Sequence, residues 1–153
     1  MTVFARDFDA LAVGERFTTA TRMVSEADIA SFAALTGDSH PLHVDASWAA
    51  DGPFGEQIAH GLLVLSIASG LMPFDPARVV ALRRVADAVF KAPVKIGDEV
   101  HVAGSITSLR EIDDTSGLVG CTWRVLNQDD RLVVLAKVEL VWRRVQVPEP
   151  VLI

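Results

Sequence analysis

The chain is poor in several features that would assign it to a broad class of protein. Cysteine occurs once, at Cys121. One cysteine excludes an intramolecular disulfide and leaves no cysteine cluster with metal-ligand spacing. Basic runs are missing: lysine and arginine gather no further than pairs such as Arg83-Arg84 and Arg143-Arg144, and the formal net charge is −6. That balance argues against a nucleic-acid partner, yet a local site can still take an anionic, nucleotide-bearing ligand. Low-complexity stretches are absent, and so are long apolar runs. The most hydrophobic window, Gly61 to Met72, spans 12 residues, too short to cross a bilayer and suited to a buried helix. Residues Met1 to Asp7 meet an acidic side chain early and hold no apolar stretch. No secretory signal is therefore expected there, and a cytoplasmic location is the default.

What is present is 153 residues, half of them hydrophobic and 22% charged. That is ample apolar material for one core, expected as a single domain over 1–153. Phe17 to Val24 reads as a first strand. Ser25 then caps a helix whose packed face is Ile29, Phe32, Ala33 and Thr36, with Asp28 in the positive first turn and Gly37 ending it. Asp45 caps a short helix over Ala46 to Ala50, and a Gly/Pro-rich loop runs from Asp51 to Gly55. The segment from Leu62 to Met72 has no polar face wide enough for solvent. As a helix it must be surrounded by protein, and Pro73 and Pro76 stop it. Beyond Val79 to Phe90, read as a strand on its valine content, Val100 to Leu109, Val119 to Val125 and Leu132 to Trp142 alternate apolar and polar residues. Asp113 to Gly117 and Asn127 to Asp130 are the turns between them. A twisted antiparallel sheet packed on one buried helix is the logic of an α+β domain.

The segment Thr36-Gly37-Asp38-Ser39-His40-Pro41-Leu42-His43 carries chemistry. It holds a carboxylate and an imidazole five residues apart in a loop stiffened by proline. Such a pair can grip one water, deprotonate it and return the proton to carbon, provided both groups reach the same atom. His60-Gly61 stands at the start of the apolar helix. There the backbone amides carry partial positive charge, and glycine lets a ligand approach closely. A thioester carbonyl set against the Gly61 amide would be polarised as its oxygen gains negative charge.

The sequence Gly37-Asp38-x-x-Pro41-Leu42-His43, followed by Ile58-Ala59-His60-Gly61-Leu62-Leu63, resembles the signature of the MaoC-like, (R)-specific enoyl-CoA hydratases. Phe90 to Val100 is similar to the segment that enters their later strands. The resemblance implies a hot-dog fold, with the sheet wrapped around the central helix, and a homodimer that can pair again. It implies that Asp38 and His43 activate water, that the Gly61 amide meets the thioester carbonyl, and that Ser69 supports the site, with Ser66 a weaker candidate. The implied substrate is an acyl-CoA and the reaction is reversible syn hydration of a trans-2-enoyl-CoA, with neither metal nor redox cofactor. One departure stands out: the family usually has asparagine where this chain has His40.

Blander readings stand beside these. His60 is read as a structural residue bonding to backbone, and Ser69 either as a site residue or as a helix serine bonding to the preceding turn. His40 is either a site residue or a loop residue, and His101 faces solvent. Cys121 shares a strand face with Val119, Trp123 and Val125 and fills the core. Arg83, Arg84, Lys91 and Lys95 either meet CoA phosphates or are simply solvated.

Overall fold

The computed structural model describes residues 2–144. Met1 and the last nine residues of the expected 1–153 domain lie outside the described residues. Four helices occur: α1 (Glu26–Thr36), α2 (Pro41–Val44), α3 (Ala46–Ala50) and α4 (Gly61–Leu71). Two single-turn 3-10 segments, Val3–Ala5 and Phe8–Ala10, precede them and bury Phe4 and Phe8. The strands are β1 (Arg16–Thr18), β2 (Arg22–Met23), β3 (Val79–Phe90), β4 (Glu99–Glu111), β5 (Ser116–Leu126) and β6 (Leu132–Arg143). The sheet is antiparallel in the order β1-β4-β5-β6-β3, and β2 also pairs with β4.

The expected single strand from Phe17 to Val24 is instead two short pieces, β1 and β2. Thr19 accounts for the break: its hydroxyl oxygen accepts from the Val102 amide at 2.9 Å. A side chain thus takes a position where a backbone carbonyl would continue the ladder. The three long strands at the centre follow their alternation. Val100, Val102, Ile106, Val119, Trp123, Val125, Val134, Ala136, Val138, Leu140 and Trp142 are all nearly solvent-free. Cys121 is 2% exposed among them, and burial pushes its thiol up to about 12. It is core filling and no nucleophile.

Helix α4 lies on this face and buries Leu63, Val64, Ile67 and Ala68. Each such aliphatic side chain contributes about 1.5–3 kcal/mol when taken from water. The helix is not surrounded, however: Leu62 is 63% exposed, and Ser66 and Gly70 also face outward. The sheet wraps only one side of α4 within the single chain. Helix α1 matches its sequence signals closely. Ser25 and Asp28 form a complete capping box, and Gly37 ends the helix in a left-handed conformation with φ 81°. Ile29 and Ala33 are buried, but Thr36 is exposed and donates its hydroxyl to the Phe32 carbonyl at 2.7 Å.

Candidate active site

Asp38 follows the left-handed Gly37, so the chain turns sharply out of α1 and presents the carboxylate in an exposed loop. His40 then caps α2: its Nδ1 accepts from the Leu42 amide at 3.1 Å, and Pro41 occupies the first helical position. Proline suits that place because its missing N–H would have no partner there. This single turn was not legible in the sequence, and it carries His43. Tertiary bonds hold it in place: the Gln57 amide donates to the His43 carbonyl at 2.8 Å, and Ile58 N–H to Leu42 at 3.4 Å. Ile58 also bridges to Lys95, and Ala59 N–H donates to Val94 at 2.8 Å. The approach to α4 is therefore pinned to the turn before β4.

Hydrogen bonding fixes the tautomers of both site histidines. His43 Nδ1 lies 2.7 Å from the Ile58 carbonyl oxygen. A carbonyl only accepts, so Nδ1 carries the hydrogen and Nε2 of the neutral ring keeps its lone pair. His60 Nε2 lies 2.9 Å from the Asp38 carbonyl oxygen and donates to it for the same reason. The two rings stack, with centroids 3.9 Å apart and planes 26° apart. The Phe32 ring packs on the other partner of the stack, 4.8 Å from His60. Asp38, His43 and His60 each offer an atom within 4.8 Å of the others. That spacing would admit a cation. Between a carboxylate oxygen and an imidazole nitrogen at this separation, one water can bond both at about 2.8 Å each.

These groups open onto a cavity of about 380 Å³ whose wall includes Asp38, His43, His60, Gly61 and Lys91. The rest is mostly apolar, with Phe32, Phe54, Ile58, Leu62, Val64, Phe90, Val133 and Val134. Gly61 is the first residue of α4, and the N-cap His60 makes no side-chain cap bond to the first turn. A Cβ at Gly61 would stand 2.6 Å from the Phe90 ring, so only glycine lets α4 begin there against that ring.

Of the other expected site residues, His40 is exposed and packs edge-on against Trp48 at 5.4 Å; it supports the α2 turn and does not line the cavity. Ser69 is half-buried two turns further along α4 and also lies outside the cavity wall. Ser66 bonds back to the Leu62 carbonyl at 2.7 Å. His101, expected to face solvent, is half-buried. Arg83 pairs with Glu139 and Lys95 with Glu56, while Lys91 alone of the four basic residues reaches the cavity. Sequence reasoning missed Phe32, Phe54 and Phe90 as walls, and it missed how His60 joins Asp38 to His43.

Residues 9–123 match the model of the MaoC like domain. The chain belongs to the MaoC-like family. An (R)-specific enoyl-CoA hydratase from Aeromonas caviae is 36% identical over 124 residues, 81% of this chain and 90% of that protein. A solved structure described as a monoamine oxidase regulatory protein from Archaeoglobus fulgidus superposes with a TM-score of 0.85 at 35% identity, over 94% of this chain and 99% of that one. A Mycobacterium tuberculosis protein with a double hot-dog fold superposes with a TM-score of 0.81 at 22% identity, over 98% of this chain and 48% of that one. This MaoC-like chain therefore has the hot-dog fold and is an enzyme of the hydratase/dehydratase type.

Proposed function

We propose that this MaoC-like enzyme adds water reversibly to a trans-2-enoyl-CoA, giving the (R)-3-hydroxyacyl-CoA. The observation that carries the reading is the facing of an Asp38 carboxylate oxygen and a His43 ring nitrogen within 4.8 Å, in one cavity wall with Gly61. The Asp38–His43 pair takes one proton from the held water while the water oxygen bonds to C3. The π electrons of the C2–C3 bond shift toward the thioester carbonyl, whose oxygen gains charge beside the Gly61 N–H at the positive end of α4. The enolate then collapses, and the pair returns the proton to C2. Both new bonds form on the face turned to the pair, so the addition is syn. No metal or redox cofactor takes part in these steps.

Supporting roles follow from position. His40 holds the turn that carries His43, and Lys91 offers a cation to an anionic substrate, while Ser69 lies further along α4, outside the cavity wall. The working unit is proposed to be a cytoplasmic homodimer. The test is turnover of crotonyl-CoA and a longer enoyl-CoA, with the hydroxy products separated by chirality. Asp38→Ala and His43→Ala are each expected to lower kcat by about 10² to 10⁴, the scale of positioned acid–base catalysis. Full activity in Asp38→Ala, or no turnover of any enoyl thioester by the intact protein, would sink the reading.

A further inference from the structure

His60 takes no part in the steps above, yet it bonds the Asp38 backbone, stacks on His43 and precedes Gly61 in the chain. It is 2% exposed, and its two ring nitrogens are treated very differently. Nε2 donates to the Asp38 carbonyl at 2.9 Å, whereas the buried Nδ1 has no hydrogen-bond partner among the described residues. Its face lies 3.9 Å from the His43 ring, and its own backbone leads directly into Gly61.

We propose that His60 is a positioning residue, which through one hydrogen bond and one stacked face fixes Asp38, His43 and the Gly61 amide relative to one another. The proposal rests on the functional reading above, because it concerns the same pair. The Asp38 loop is held locally, the Thr36 hydroxyl accepting from the Asp38 amide at 3.2 Å and the Asp38 carboxylate from the His40 amide at 3.4 Å, but neither bond reaches α4. The bond from His60 ties its backbone to the N-cap residue of α4. Among the described residues the His43 ring has one hydrogen bond, to Ile58, and an edge contact with the His40 ring at 6.2 Å, and a single hydrogen bond leaves a ring freedom to tilt about it. The stacked His60 ring removes this freedom. The pair and the oxyanion donor are thus held by one side chain, and small misplacements of such groups are costly to rate. The unpartnered Nδ1 points the same way. A purely space-filling ring at this place would carry no buried polar atom, and an orphaned one persists where something else compensates.

The test uses the full chain with histidine ring nitrogens labelled. His60→Phe keeps the stacked ring and removes the bond to Asp38. His60→Gln restores an N–H for that carbonyl and removes the ring. His60→Phe is expected to lower kcat about 10- to 100-fold with KM changed by less than about twofold, and His60→Gln to recover part of the loss. The His43 Nδ1–H resonance, identified by its disappearance in His43→Ala, should shift in His60→Gln, where the stack is lost. The proposal is overturned if both variants keep kcat within about twofold, or if kcat and thermal midpoint fall together while that resonance stays in place. The resonance does not depend on turnover. If the intact protein hydrates no enoyl thioester, the functional reading fails, and the position of the His43 signal still decides whether His60 sets that ring.

Discussion

Gly61 shows how much a single residue can settle. It begins α4, it borders the cavity, and the Phe90 ring occupies the space its side chain would need. Gly61→Ala keeps the N–H but forces the half-exposed Phe90 ring to swing away, into or across the cavity mouth. Because that ring is exposed on one side, the fold can absorb the movement, whereas the substrate cannot. The expected outcome is a fall in kcat/KM for crotonyl-CoA of about 10-fold or more, with the thermal midpoint moved by less than about 4 °C. Steady-state kinetics beside a melting curve checks it, and a large loss of stability with unchanged kinetics would contradict it. The residues of this site were legible in uneven degree. Asp38, His43 and Gly61 stood out because carboxylate, imidazole and helix-start glycine are rare in such an order. The aromatic walls did not, since Phe32, Phe54 and Phe90 come from three distant segments and share no spacing. His60 was legible only as a backbone-bonding residue, because a stack on His43 is a tertiary contact 17 positions away in the chain.

At the scale of elements, the helices announced by a Ser or Asp cap or by a long apolar run were readable, and the single turn α2, capped by His40, was not. α1 and α3 begin at Ser25 and Asp45, whose side chains accept from amides three residues on. α2 is a single turn, too short to be signalled by periodicity, and it stands because Gln57 and Ile58 bond to it from outside. The first strand was overextended for the opposite reason: β-propensity runs on through 17–24, but Thr19 bonds through its hydroxyl and ends the ladder. The capping box of α1 makes a prediction about acid. Asp28's carboxylate accepts from the Ser25 amide at 2.9 Å, and that bond, with lesser help from the Ser25 hydroxyl and Arg22, holds it below its ordinary value of 3.8. A carboxyl with a depressed folded-state pKa stabilises the fold fully above its unfolded value and loses this as pH falls through the folded one. Asp28→Asn, which keeps an acceptor for the Ser25 amide and removes the charge, should therefore be less stable than the parent protein at pH 7 by about 0.3–1 kcal/mol, the scale of a charge at a helix start. The gap should close as the pH drops below 3.8. A gap that persists in acid would show that the carboxylate is not its source.

For the molecule as a whole, the fold exposes what the sequence hid inside. The apolar window 61–72 was expected to be enclosed, and one side of α4 is instead open, with Leu62 outward. β3 is the long edge of the sheet, paired among the described residues with β6 alone, and Val80, Leu82, Val85, Val89 and Phe90 are each 42–50% exposed along it. A long apolar edge beside an open apolar helix face is a surface that association would cover. Light scattering should report twice the 16.5 kDa of the chain, and Leu82→Lys combined with Val85→Lys should report the single mass. A monomeric parent protein, or a double variant still paired, would count against this.

The same edge carries three breaks in its pairing with β6, between Val79 and Ala81, Leu82 and Arg84, and Ala86 and Val89, and at the last of them Asp87 adopts φ 50°. Bulges bend and twist a strand away from the flat ribbon that endless stacking needs. In the dimer predicted above, an identical copy turned about a two-fold axis would bring matching bends to meet them. A foreign straight strand finds no such match. The irregularities of β3 thus guard that edge against open-ended pairing with straight strands.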